Sequence, residues 1–285
     1  MPANVLRLRE ILGDCTLCPR ACRVNRLAGK PGACGVGERA VVASYGPHFG
    51  EESVLVGRGG SGTIFLSGCN LDCVFCQNAD ISHDMSGRVV SPAQLADLAL
   101  DLQRQGCENI NFVTPTHVSH AVAEAVVLAR RDGLSVPIVY NCGGYESVRT
   151  LKLLEGLIEI YMPDFKWADA RAGKVYSGVA DYPQVATAAL AEMHRQAGPL
   201  QVDPHGRARR GVLIRHLAMP GNLADSRRAI ETVAKTAPAC AINVMGQYHP
   251  AYRAAEFPEL LGTAAYREVQ ELRQYAVSLG LVRVD

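Results

Sequence analysis

The sequence predicts an α/β fold: an open, partial (β/α)6 TIM-like barrel preceded by a small cysteine-rich module. Three observations carry that expectation. Six apolar runs of strand length each precede a stretch of helical periodicity, the pattern of parallel strands joined by crossover helices. Residues 59–285 are fewer than the about 250 that a closed eight-unit barrel takes. Residues 1–58 are rich in Gly, Pro and Cys and short of periodic runs, too poor in apolar side chains for a core without a metal.

In the module the pattern predicts a helix over 5–12, a cysteine loop, and a strand or hairpin near 40–45 and 53–56. The Gly-rich stretch 57–62 marks the boundary, giving a module over 1–58 and a barrel over 59–285. Residues 63–67 (TIFLS) read as the first buried strand. The helix over 92–105 has Ser91 as its N-cap and Pro92 in its first turn. Strands then follow at 109–113, 136–140, 157–162, 212–217 and 241–245. The helices between and after them are expected at 117–131, 146–155, 182–196, 223–235 and 263–279.

Composition narrows the class. The chain has 285 residues, 48% hydrophobic and 20% charged, enough to bury a full core. A formal net charge of +1 points neither to nucleic acid nor to an anionic membrane. No uncharged run supplies the roughly 18–20 apolar residues of a membrane span, and the charged start is unlike a secretion signal. The expected compartment is the cytoplasm. Ten cysteines fall far below the roughly 8–10% of disulfide scaffolds. Seven of them, Cys15, Cys18, Cys22, Cys34, Cys69, Cys73 and Cys76, lie in the first 76 residues, and in a reducing compartment clustered thiols are ligands first.

Cys69, Cys73 and Cys76 stand in GCNLDCVFC, directly after the first barrel strand. Loops at the carboxyl ends of parallel strands carry active sites. Three thiolates at this spacing can wrap one iron–sulfur cube and leave its fourth iron open for substrate chemistry. Gly68 and Asn70 permit the tight loop, and Phe75 sets an aromatic face beside it. The alternatives are zinc completed by a ligand such as His83, or thiols with no ligand role; the spacing fits zinc fingers poorly.

GCNLDCVFC resembles the signature of the radical S-adenosylmethionine (SAM) superfamily. With CTLCPRACRVNR, NFVTPTHV, YNCGGYE, YMPDFKW and IRHLAMPG, the chain is similar to the pyruvate formate-lyase-activating-enzyme-like group, in its PflX-type branch. The resemblance covers most of the chain. It implies a six-unit partial barrel and a [4Fe–4S] cluster on Cys69, Cys73 and Cys76 whose open iron is chelated by SAM. It further implies one-electron cleavage of SAM to methionine and a 5′-deoxyadenosyl radical that abstracts hydrogen, with Phe75 near the adenine. A reductant such as flavodoxin or ferredoxin is the expected electron source.

The ends of the later strands supply candidates for the rest of a SAM pocket. Activating enzymes usually carry Gly-Gly-Glu after the second strand; here stands Thr114-Pro115-Thr116-His117, so the amine is left to backbone carbonyls and the hydroxyls of Thr114 and Thr116. Thr116 reads equally as an N-cap. Asn141, before two glycines that serve a ligand or a turn, matches a family position near ribose or amine. Asp164 and Lys166, two apart on an extended segment, point the same way. By resemblance Lys166 lies near the SAM carboxylate and Asp164 near SAM or substrate; the alternative is a rim ion pair. Arg215, flanked by apolar residues, needs a partner, and a carboxylate of SAM or substrate suits it. His249 resembles a family position near SAM and is as easily a turn residue. Cys107 and Cys240 read as buried apolar thiols.

Cys15, Cys18, Cys22 and Cys34 form a closed set of four thiolates, suited to structural zinc or to an auxiliary iron–sulfur cluster that passes electrons. Three functions remain open: a radical SAM enzyme on an unassigned substrate, a glycyl-radical-enzyme activase acting on a partner protein, and an iron–sulfur electron carrier without SAM chemistry. The open fourth iron argues against the last.

Overall fold

The computed structural model describes residues 1–284. Helix α1 (Ala3–Glu10) runs into a 3-10 turn over Ile11–Asp14, followed by the cysteine loop, strand β1 (Ala40–His48) and the one-turn helix α2 (Ser53–Val56). Here one expectation is corrected. Residues 53–56 were β-branched enough to suggest a strand, but they coil into a turn of helix that drives Leu55 into the core.

The barrel begins with β2 (Ser61–Leu66), α3 (Ala79–Ser82), an edge strand β3 (Arg88–Val90) and α4 (Pro92–Arg104). The N-cap at Ser91 is a full capping box: the Gln94 N–H donates to Ser91 Oγ at 3.2 Å, and the Ser91 N–H to Gln94 Oε1 at 2.9 Å. Then come β4 (Ile110–Val113), α5 (Ser119–Arg131), β5 (Ile138–Cys142), α6 (Val148–Leu153), β6 (Ile160–Pro163), α7 (Ala170–Ser177) and α8 (Tyr182–Ala197). The chain ends through β7 (Gln201–Val202), β8 (Ala208–Leu217), α9 (Ser226–Thr236), β9 (Ala241–Met245), α10 (Tyr266–Ser278) and β10 (Val282–Arg283). The six expected strands are β2, β4, β5, β6, β8 and β9. Helix α7 and the short strands β3, β7 and β10 had not been expected.

The sheet order is β10-β9-β8-β6-β5-β4-β2-β1-β3, with β7 attached to β8. Pairing from β2 to β10 is parallel, while β1 and β3 add an antiparallel edge. The two ends of the order do not meet, so the barrel is open among the described residues. Strand β1 thus extends the barrel sheet from within the module. Val5, Leu8, Leu12, Leu17 and Val36 share one hydrophobic cluster with Val122 and Val126 of α5, so the module borrows the barrel's core.

Candidate functional site

The loop after β2 is tied down on several sides. The Asp72 and Val74 N–H groups donate to the carbonyls of Ser177 and Tyr176 at the end of α7, at 3.2 and 3.0 Å. Asn70 Nδ2 donates to the Tyr145 carbonyl at 2.7 Å, and Arg20 Nε to the Asn70 carbonyl at 2.7 Å. Gly68 adopts φ +85°, and a Cβ there would stand 2.6 Å from the Cys34 carbonyl oxygen. Only glycine lets the two cysteine segments touch at this point.

All three thiols of the loop are half-buried. Cys73 Sγ lies 3.1 Å from Ser177 Oγ and Cys76 Sγ 3.2 Å from Ser82 Oγ, while the Leu71 N–H points at Cys69 Sγ at 3.4 Å. Burial, reinforced by the neighbouring Cys73, pushes the Cys69 thiol up to about 12. Burial also raises Cys73, against the pull of Lys166. Burial thus favours the protonated form of Cys69 and Cys73 in the metal-free loop. Among the described residues no three Cys, His, Asp or Glu side chains close on a point tightly enough to hold a single metal ion. A cube asks something else: each thiolate takes a different iron, so three thiols on one wrapped loop are a fitting donor set. Phe75 is buried, edge-on to Trp167 at 5.7 Å and Tyr248 at 6.0 Å.

A chain of charged side chains leads away from this loop into the barrel. Lys166 lies in the field of Cys73, and its Nζ donates to Asp164 Oδ2 at 2.6 Å. Arg215 Nε donates to Asp164 Oδ1 at 3.1 Å, its Nη2 to Asn141 Oδ1 at 2.6 Å, and its Nη1 to Glu51 Oε2 at 3.4 Å. Burial would neutralise Asp164, but the Lys166 and Arg215 cations hold its carboxyl below the usual range. Burial likewise opposes the Lys166 charge, and Asp164 overrides it. Arg215, expected to need a partner, has the protein's own Asp164, Glu51 and Asn141. These groups meet because Arg215 and Asp164 bridge adjacent strands, and the backbone of Gly144 (φ +78°) passes Asp164 where a Cβ would stand 2.1 Å from its carbonyl.

The other candidates divide. Thr114 holds φ +60°, a conformation that strains a β-branched residue, and its N–H donates to the Asn141 carbonyl at 2.8 Å. Thr116 is buried, and its hydroxyl donates to Glu146 Oε1 at 2.5 Å. It is no N-cap either, since α5 begins after Val118 without a side-chain cap. Tyr140 also donates to Glu146, at 3.1 Å, and burial lifts that carboxyl to about 7 against the hydrogen bonds from Thr116, Tyr140 and Cys142. His249 is exposed, with Nδ1 3.1 Å from Gln77 Nε2, so the last loop touches the cysteine loop there. Cys107 and Cys240 are buried as expected.

Cys15, Cys18 and Cys34 are buried and Cys22 is half-buried. The Ala33 N–H donates to Cys22 Sγ at 3.3 Å, and a Cβ on Gly32 would meet Cys34 Sγ at 3.4 Å and Cys22 Sγ at 3.6 Å. Arg26 Nη1 points at Cys15 Sγ at 3.8 Å. Burial raises Cys18 to about 12, with Cys34 and Cys22 adding to it. Cys34 lies in the field of Cys15, Cys18 and Cys22, and since no three of these side chains converge on one point, the set suits a cluster, each thiolate taking a different iron, better than a single ion. Cys34 and Cys69 line a common cavity of about 310 Å³ with Arg20, Asp72, His83 and Met85.

Sequence reasoning missed Glu51, Glu52, Trp167, Ser177 and Tyr248. The single Trp beside PDFK was the one visible signal among them.

Comparison with known proteins bears on the family and the fold. A family model described as the radical SAM superfamily matches residues 63–165. An uncharacterized protein of Methanocaldococcus jannaschii, MJ0674, is 30% identical over 281 residues, covering 96% of this chain and 77% of that one. Among solved structures, HydG, a maturase of the [FeFe]-hydrogenase, superposes with a TM-score of 0.51 at 11% identity, over 76% of this chain and 48% of HydG. The radical SAM methyltransferase TsrM from Kitasatospora setae, solved with cobalamin and a [4Fe–4S] cluster, gives a TM-score of 0.45 at 14% identity, over 66% of this chain and 37% of TsrM. The chain spans about half the length of HydG and less of TsrM, and the HydG likeness is one of fold.

Proposed function

The chain belongs to the radical SAM superfamily, in one family with the M. jannaschii protein, and from that premise we propose that it reductively cleaves SAM and abstracts hydrogen from a substrate. The family implies a [4Fe–4S] cluster and SAM; Cys69, Cys73 and Cys76 are the residues to hold that cluster. A cluster held there would supply the one electron for reductive cleavage of SAM to methionine and a 5′-deoxyadenosyl radical. The remaining work is the protein's. Lys166, kept charged by Asp164, is placed to hold the SAM carboxylate beside Cys73. Asn141 and Thr114 offer polar contacts at neighbouring strand ends, and the fixed ring of Phe75 borders the adenine side. The loop is pinned to α7 and to the module, which preorganises the thiols.

The observation that carries this reading is the three-thiol loop at the carboxyl end of β2 with the Lys166–Asp164–Arg215 chain leading from it. The activases serve as an analogue for the substrate step, and Cys15, Cys18, Cys22 and Cys34 are read as a second metal site, an auxiliary cluster or zinc. A flavodoxin or ferredoxin is the proposed reductant and the cytoplasm the proposed compartment. No helix among the described residues is long and apolar enough to cross a membrane. Anaerobic reconstitution, then chromatography for 5′-deoxyadenosine from SAM and dithionite, tests the chemistry. Product is expected, and deuterium arriving in it from a labelled candidate identifies the substrate. A reconstituted protein that binds SAM yet releases no 5′-deoxyadenosine under reduction sinks the reading.

A further inference from the structure

The polar layer below Arg215 has no role in the SAM chemistry proposed above. It is built by the segment between β1 and β2. Leu55 packs with Val139, Ile160, Met162 and Leu213 on alternate, inward-facing positions of the strands, closing the floor of the barrel. On this floor Glu51 Oε1 accepts from Asn111 Nδ2 at 3.1 Å, and Glu51 Oε2 from Arg215 Nη1 at 3.4 Å. Glu52 Oε1 accepts from Asn243 Nδ2 at 3.0 Å. Glu52 and Asn111 are 4% and 0% exposed, yet Glu52 Oε2 and Asn111 Oδ1 have no hydrogen-bond partner.

Two features of that layer call for a ligand of one kind. Buried acceptors without donors are costly, and both vacant atoms here are acceptors. The three carboxyl groups Glu51, Glu52 and Asp164 also outnumber the two permanent cations among them, Arg215 and Lys166, with His48 near Glu51. Water would satisfy the acceptors and leave the charge uncompensated. Burial raises the Glu51 carboxyl and Glu52 adds to the rise, while Arg215, His48 and Asn111 oppose it.

We propose that Glu51, Glu52, Asn111 and Asn243 form a subsite for a cationic N–H donor, the protonated amine or guanidinium of the substrate. This rests on the radical SAM reading for the word substrate. The subsite lies at the opposite end of the Lys166–Asp164–Arg215 chain from Cys73, so the SAM amine, held at the cysteine end, is not its occupant. Glu51 and Glu52 also precede residue 63, where the superfamily match begins, so they are features of this chain beyond the matched segment. The subsite therefore selects what the radical acts on.

The test uses the anaerobically reconstituted full chain with methylammonium chloride as the probe and tetramethylammonium chloride, equal in charge but without N–H, as the control. Methylammonium is expected to raise Tm saturably by about 2–4 °C, and tetramethylammonium to leave it unchanged. Glu52→Gln keeps the shape, removes the surplus charge, and is expected to raise Tm without the probe and abolish the methylammonium response. Equal responses to the two cations, or a full methylammonium response in Glu52→Gln, overturns the proposal. If Glu52→Gln does not fold, Asn111→Ala is read instead, with at least a fivefold higher midpoint concentration expected and an unchanged midpoint contradicting the subsite. These readouts need no SAM cleavage. Formation of 5′-deoxyadenosine on the same samples reports separately on the radical reading.

Discussion

The two cysteine groups solve different problems with the same atom. Cys69, Cys73 and Cys76 sit on a loop anchored to regular structure, at the end of β2 and against the last turn of α7. Cys15, Cys18, Cys22 and Cys34 sit in a segment with little regular structure, where Ala21 and Arg23 hold φ of 42° and 59° although neither is glycine. The first group needs no metal for its position and, as proposed, would leave a corner of its cluster free. The second has a full complement of four and a backbone that a bound metal would hold in place. On that proposal, the rigid scaffold goes with the open site and closed ligation with the weak scaffold.

That contrast can be broken most sharply at a single thiol. Cys73→Ala is expected to reduce 5′-deoxyadenosine formation to background, measured by chromatography after dithionite reduction, with Tm changed little. Cys18→Ser should behave oppositely. Its Tm is expected to fall by more than about 5 °C and the loop over 15–34 to become open to protease, while the iron at the barrel loop remains. Equal losses of Tm in both variants would erase the distinction.

Gly68 joins the two regions. Gly68→Ala sets a Cβ against the Cys34 carbonyl in a left-handed conformation, and a loss of about 1–3 kcal/mol in denaturant titration is expected. An unchanged stability would mean that the module does not press on the loop. Within the barrel, Lys166→Ala is expected to weaken SAM binding about tenfold by calorimetry, the scale of one charged hydrogen bond. The smallest effect is on loading. Because burial holds the Cys69 thiol proton up to about 12 without iron, ligation releases it, and iron incorporation is expected to rise from pH 7 to pH 8.5. Incorporation that falls over that range contradicts the protonated, metal-free site.

The parallel barrel was legible because each strand is a buried apolar run, and buried runs stand out whichever helix follows. The Cys69 loop was legible because ligand spacing is local. What escaped was set by contacts between distant segments. Residues 53–56 read as a strand from their valines, yet Leu55 is claimed by Val139 and Leu213 across the barrel floor. Helix α7, with Gly173 in its middle, gives weak periodicity, and its value lies in carbonyls that meet residues 72–74. Arg215 was rightly seen to need a partner, but nothing local in the sequence links it to Glu51, which lies 164 positions away. Short edge strands such as β3 and β10 are defined by their neighbours.

Electron paramagnetic resonance of the reduced protein, recorded before and after SAM is added, addresses the core of this account directly. A cluster held by Cys69, Cys73 and Cys76 alone should give a [4Fe–4S] signal that SAM reshapes, and Cys73→Ala should remove it. A reduced spectrum no part of which responds to SAM, or zinc bound at that loop in the oxygen-protected protein, would contradict an open iron at the heart of the barrel.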